Sequence, residues 1–138
     1  PLSKHFTPIW LYEQLQQHRR IIKSILLDQQ FIAGLGNIYV DEALWKAQIH
    51  PKTKSNRIGK KRCKKLCFAI QNILSHAIDN KGTTIIDYSY GNNEKGNFIN
   101  QLQVFGRENK PCPRCQASIT KMFVVQRGTH YCKKCQRL

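Results

Sequence analysis

The chain has 138 residues, 23 Lys and Arg against 8 Asp and Glu for a formal net charge of +15, and 41% hydrophobic content. That length holds one ordinary domain, or a helical domain of roughly 80–90 residues beside a small metal-stapled one. The basic excess points to a polyanion, most simply nucleic acid; the alternatives are a generally solvated basic surface or a ribosomal or membrane-surface protein. No run of 18 or more apolar residues is present and no signal peptide opens the chain, so no membrane span is expected and the expected compartment is the bacterial cytosol or nucleoid.

Thr7-Pro8 predicts a helix start, with Thr7 as cap and Pro8 at the first helical position, where its missing N–H costs nothing. Ile9, Trp10, Leu11 and Leu15 give that helix an apolar face, and His18-Arg19-Arg20 suit its negative end. A second short helix turns Ile22, Ile25 and Leu26 inward. From Asp28 to Trp45 the pattern is helix, tight turns, helix. Phe31 and Ile32 plug a core, Gly34 and Gly36 let the backbone turn, and a helix opens near Asn37 with Ile38, Ala43, Leu44 and Ala47 apolar. Gly36 permits close backbone approach, and Asn37 at a helix N-terminus offers an amide and free N–H groups to a phosphate. Asn37 as a plain N-cap, with the glycines as turn residues, accounts for the same segment.

Pro51 disfavours a helical His50 and closes that helix. Residues 52–65 then carry eight basic side chains and no acid, mostly a solvated face but one that strengthens the field for DNA. A long helix is expected from about Ile58 to Asn80. Leu66, Ile70, Ile73, Leu74, Ala77 and Ile78 form its buried stripe, and Lys81-Gly82 end it. Cys63 and Cys67 on this helix are ordinary thiols. Ser89 to Asn97 is rich in Gly and Asn and reads as a mobile loop, either a plain connector or a flap over a ligand.

Near the C-terminus two Cys-x-x-Cys knuckles, Cys112/Cys115 and Cys132/Cys135, stand with 16 residues between them. Each knuckle presents two thiolates from one turn, and two knuckles complete a tetrahedron around one structural Zn²⁺, with no open position for catalytic water. The intervening run fits a hairpin, with Met122–Val125 as first strand, Arg127-Gly128-Thr129 as turn and His130-Tyr131 as return. Arg127 at such a tip suits a phosphate, and equally a solvated turn. The expected fold is therefore mainly α: a helix-two-turns-helix domain over residues 1–100, including the loop 88–97, followed by a small β-hairpin zinc finger with four cysteine ligands over 101–138.

The segments Ala33-Gly34-Leu35-Gly36-Asn37-Ile38-Tyr39-Val40-Asp41-Glu42, Ile49-His50-Pro51, Gln103-Val104-Phe105-Gly106-Arg107 and Gln126-Arg127-Gly128-Thr129-His130-Tyr131-Cys132 lie in that order along nearly the whole chain. Together they resemble the C-terminal half of formamidopyrimidine-DNA glycosylase. The endonuclease VIII branch shares both modules, but Arg127 to Cys132 and the long Gly/Asn loop look more like the formamidopyrimidine branch. The resemblance implies a base-excision-repair glycosylase and AP lyase that flips oxidised purines, such as 8-oxoguanine and formamidopyrimidines, out of duplex DNA. It implies that Asn37 and Arg127, with Gly36, clamp phosphates beside the flipped nucleotide, that Arg127 serves the δ-elimination step, and that Arg19 and Lys23 fall near DNA contacts. Tyr88, Ser89, Tyr90 and Gly91 would belong to the loop closing over the lesion. The partner would be double-stranded DNA with a damaged base or abasic site, bound by a monomer.

The family's nucleophile is an N-terminal proline opening a Pro-Glu-Leu-Pro-Glu start on a β-sandwich. Pro1-Leu2-Ser3-Lys4-His5 instead resembles the junction after that sandwich, so these 138 residues are expected to bind DNA without excising bases alone. A non-enzymatic zinc-ribbon nucleic-acid-binding module is the competing expectation. It explains the charge and the cysteines but not the Gly-Leu-Gly-Asn helix entry or the Arg127 turn.

Overall fold

A computed structural model describes residues 5–79 and 102–138, with backbone alone for 76–79. Its elements are α1 (Pro8–Gln16), α2 (Ile22–Leu27), α3 (Asn37–Ala47), a 3-10 turn (Ser55–Arg57), α4 (Lys60–Asp79), β1 (Ile119–Val124) and β2 (Arg127–Cys132). A helical module followed by a two-stranded finger is the expected order. The domain boundary at 100/101, the residues of the 88–97 loop, the expected helix end at Lys81-Gly82 and Pro1 all lie outside the described residues.

The Thr7 hydroxyl accepts the Trp10 N–H at 3.1 Å and Pro8 opens α1, as a Thr-Pro start requires. Leu11 and Leu15 are fully buried, whereas Ile9, assigned to the same face, is 73% exposed. Two residues of helix rotate a side chain by about 200°, which puts Ile9 opposite Leu11. The helix stops at Gln16, before the basic triplet. Ile22, Ile25 and Leu26 are buried on α2, and the chain at 53–55 laces against its start: the Ile22 N–H reaches the Thr53 carbonyl at 2.7 Å and the Ser55 N–H the Arg20 carbonyl at 2.8 Å.

Between α2 and α3 the chain turns at Gly34, whose φ of +88° only glycine adopts freely. Gly36 is the N-cap and Asn37 the first helical residue, so Asn37 is not the cap. The central helix α3 is buried nearly all round: Val40, Asp41, Glu42, Ala43, Leu44, Trp45 and Ala47 are all inside. Its apolar side packs on α4 while its acids and Trp45 turn toward the finger. Helix α4 begins at Lys60 rather than Ile58, because Ser55–Arg57 winds as a 3-10 turn and Ile58 is extended and buried behind it. Leu66, Ile70, Ile73 and Leu74 face the core as expected, and Cys63 and Cys67 share that stripe. Each such buried aliphatic contributes about 1.5–3 kcal/mol of transfer free energy.

The finger hairpin differs in register from the expectation. Strand β1 starts at Ile119, Val124 pairs with Arg127, and the turn is Val125-Gln126 with φ of 47° and 65°. A two-residue turn left-handed at both central positions matches the twist of the flanking strands. Arg127 is therefore the first residue of β2, not the tip. Among the described residues, no helix is long and apolar enough to cross a membrane.

Candidate nucleic-acid interface and metal centre

The four knuckle cysteines converge, and their sulfurs all lie within 4.8 Å of one another. Cys112 and Cys135 are 3.8 Å apart and Cys115 and Cys132 3.4 Å. Tetrahedral thiolates about 2.3 Å from a zinc ion stand roughly 3.8 Å apart, so the residues fit one structural Zn²⁺ with all four positions filled by sulfur. Burial pushes the Cys112 thiol up. Hydrogen bonds from the Cys115 and Arg114 backbone and from Trp45 outweigh it and bring the thiol down to about 6. Burial pushes Cys132 up to about 12 and raises Cys135, so without a metal ion the low value belongs to Cys112 and not to the set.

The finger docks on α3 through polar groups that the helical module buries. The Lys23 ammonium has no exposed surface and donates to Asp41 Oδ1 at 2.7 Å, Thr129 Oγ1 at 2.6 Å and the Gly128 carbonyl at 3.2 Å. Burial pushes Lys23 down, Asp41 pulls it back up, and the nearby Arg127 charge adds a further downward push. Asp41 Oδ2 accepts the His130 N–H at 2.9 Å. Glu42 accepts three successive backbone N–H groups, from Gln103 at 2.7 Å and from Val104 and Phe105 at 2.9 Å. Burial raises its carboxyl above the ordinary range, and those three bonds pull it down. Gln136 closes the far edge, donating to the Ile49 carbonyl at 3.0 Å.

At the open end of this seam, Asn37 Nδ2 donates to the same Gly128 carbonyl at 3.1 Å. Asn37 Oδ1 is buried with no partner. A Cβ on Gly36 would meet nothing within 4 Å, so the approach to the α3 N-terminus is clear. Arg127 leaves its side chain exposed while the Thr129 hydroxyl donates to its carbonyl at 3.0 Å. One residue along, Gly128 is held by both Asn37 and Lys23. The backbone next to the exposed Arg127 is thus tied to the first residue of α3, whose free N–H groups suit anionic oxygens.

Residues 1–89 match the family described as the formamidopyrimidine-DNA glycosylase H2TH domain, and residues 109–138 match the zinc finger found in FPG and IleRS. The chain belongs to the formamidopyrimidine-DNA glycosylase family. The formamidopyrimidine-DNA glycosylase of Pelotomaculum thermopropionicum is 44% identical over 138 residues, covering 100% of this chain and 50% of that protein. That of Bacillus subtilis is 44% identical over 136 residues, covering 99% and 49%. The chain thus spans about half the length of the curated relatives it matches. A Lactococcus lactis Fpg bound to abasic-site DNA superposes with a TM-score of 0.87 at 39% identity, covering 99% of this chain and 49% of that one. MutM in complex with DNA containing carbocyclic 8-oxo-G gives 0.86 at 39%, with the same coverage.

Within this member of the glycosylase family, Asn37 meets the Gly128 carbonyl, one residue along from Arg127, and the four cysteines converge on one centre. Lys23 joins the seam from beneath, with its ammonium consumed by protein groups. Lys23, expected near DNA contacts, donates to Asp41, Thr129 and the Gly128 carbonyl. Arg19 is exposed, in the turn between α1 and α2. Tyr88, Ser89, Tyr90 and Gly91 lie outside the described residues. Sequence reasoning missed Asp41, Glu42, Trp45, Arg114 and Gln136. Nothing local marks Arg114 or Gln136, and the partners of Asp41, Glu42 and Trp45 across the seam lie 61 to 89 positions away in sequence.

Proposed function

We propose that these residues are the DNA-clamping part of a base-excision-repair glycosylase and AP lyase acting on oxidised purines, with Asn37 and Arg127 gripping phosphates beside a flipped nucleotide. The observation that carries the reading is the shared Gly128 carbonyl. It is fastened by Asn37 Nδ2 and Lys23 Nζ, which ties the residue next to Arg127 to the first residue of α3. The relatives bound to abasic-site and 8-oxo-G DNA, and the net charge of +15, support the same partner. Affinity would come chiefly from phosphates, and discrimination from the site's fit to an extruded nucleotide. The δ-elimination role of Arg127, the phosphate contacts of Gly36 and Arg19, and lesion contact by the 88–91 loop belong to this proposal. So do action as a monomer in the bacterial cytosol or nucleoid, where a four-thiolate centre stays reduced.

The test is binding to a duplex carrying an abasic-site analogue against the same duplex intact. At least tenfold preference for the analogue is expected, reduced in Asn37→Ala and Arg127→Ala. Equal affinity for the two duplexes in the unaltered chain overturns the reading and leaves a generic zinc-ribbon binder. Borohydride trapping on an intact 8-oxoguanine duplex, run in parallel, shows whether any amine of these residues performs the base-release step.

A further inference from the structure

The metal centre is not closed on itself. The Trp45 indole N–H donates to Cys112 Sγ at 3.3 Å, and Arg114 Nε donates to Cys135 Sγ at 3.3 Å. The two donors are locked to each other: the Arg114 guanidinium lies 4.0 Å over the Trp45 ring and donates to the Trp45 carbonyl at 2.6 Å. Val104 and Ile119 surround the indole with apolar atoms, so the N–H···S bond forms out of water. Four thiolates on a divalent cation carry an excess of negative charge. N–H donors spread that charge and fix the sulfur positions, which is how groups behind the ligands slow metal loss.

Trp45 is on α3, outside the finger. Asn37, Asp41 and Trp45 are spaced i, i+4, i+8, so they form one stripe of that helix. Each member holds a different part of the finger: Asn37 the Gly128 carbonyl, Asp41 the His130 N–H, and Trp45 the Cys112 sulfur. A rigid helix with three such holds moves as a unit, so fastening one end reduces the freedom of the other.

We propose that Trp45 and Arg114 are positioning residues for Zn²⁺ in the four-cysteine centre, and that the Asn37–Asp41–Trp45 stripe couples metal retention to DNA binding. The second half rests on the clamp function proposed above; the first half stands without it. Coupling between two binding events is reciprocal, so bound DNA must raise the affinity for Zn²⁺ by the factor by which Zn²⁺ tightens DNA.

The experiment uses the 138-residue chain loaded with Zn²⁺ for metal loss to excess chelator and with Co²⁺ for the thiolate-to-metal absorption band. Trp45→Phe keeps a ring under Arg114 and removes the N–H donor together with part of the indole volume. It is expected to lose Zn²⁺ at least tenfold faster and to shift the Co²⁺ band, and Arg114→Gln to do the same through Cys135. A duplex with an abasic-site analogue is expected to raise Zn²⁺ affinity, read by chelator competition at equilibrium, in the unaltered chain and to raise it less in Trp45→Phe. Wild-type retention in both variants, or faster loss with an unmoved band, overturns the positioning role, because mere packing would not alter the thiolate band. Zn²⁺ affinity of the unaltered chain that is the same with and without bound duplex, by chelator competition at equilibrium, overturns the coupling. Failure to bind any duplex falsifies the clamp reading and with it the coupling, and leaves the metal readouts to judge the positioning role.

Discussion

Lys23 and Asp41 meet at 2.7 Å with both side chains fully buried, and this pair joins α2 to α3 beneath the finger. The ammonium spends its other two N–H groups on Thr129 and Gly128, and the second carboxylate oxygen accepts from the His130 backbone. A pair taken this far from water repays its desolvation only with such additional hydrogen bonds, and removing one partner strands the other. The pair therefore sets where the hairpin, and Arg127 at its start, sits relative to Asn37.

Lys23→Met leaves the buried Asp41 carboxylate facing an apolar chain. The expected cost is about 3–5 kcal/mol in urea unfolding of the metal-loaded chain. Lys23→Met with Asp41→Leu recovers part of it, short of the whole because the His130 N–H loses its acceptor. A single variant costing under about 1 kcal/mol would show that the pair does not hold the seam.

Glu42→Ala deprives three consecutive backbone N–H groups of their acceptor, with a loss on the order of 3 kcal/mol or more. Glu42→Gln keeps one oxygen and falls between. Burial holds the Glu42 carboxyl above its ordinary value, so its contribution is full below that value and declines as pH rises through the raised one. Gln does not titrate, and the stability gap between the two proteins is expected to narrow from about pH 4 toward neutrality.

Val125 sits at φ of 47°, a left-handed conformation that a β-branched residue resists. Replacing the turn pair, Val125→Asn with Gln126→Gly, supplies residues that favour this geometry and is expected to stabilise the finger by about 1 kcal/mol. The readout is the thermal midpoint of the metal-loaded chain. No gain would mean that the turn carries no strain in solution.

Of the six cysteines, four are held for metal and two are not. Burial pushes the Cys63 thiol up to about 12 and Cys67 up to about 11, so both stay protonated and unreactive at about pH 8. The metal-loaded chain is expected to resist iodoacetamide entirely. Chelation should expose the four ligand thiols, counted by mass, and weaken duplex binding as the finger unfolds. Alkylation of Cys63 or Cys67 while the chain stays folded would contradict their burial.

Local rules sufficed for what depends on near neighbours in sequence. The Thr7-Pro8 start, the inward faces of α2 and α4, the turn at Gly34 and the Cys-x-x-Cys pairs all follow from spacing and from the conformational limits of single residues. The four metal ligands were legible too. The seam between helix and finger was not. Lys23 looks like any surface lysine, and Asp41 and Glu42 look like solvated acids, until residues far along the chain, 106 positions on for Lys23 and 89 for Asp41, are folded against them. The same holds for Trp45, an apolar helix residue by pattern whose N–H finds a sulfur 67 positions on. A buried charge is tolerated only where its partners are, and partners so distant in sequence are brought into reach only by the tertiary fold.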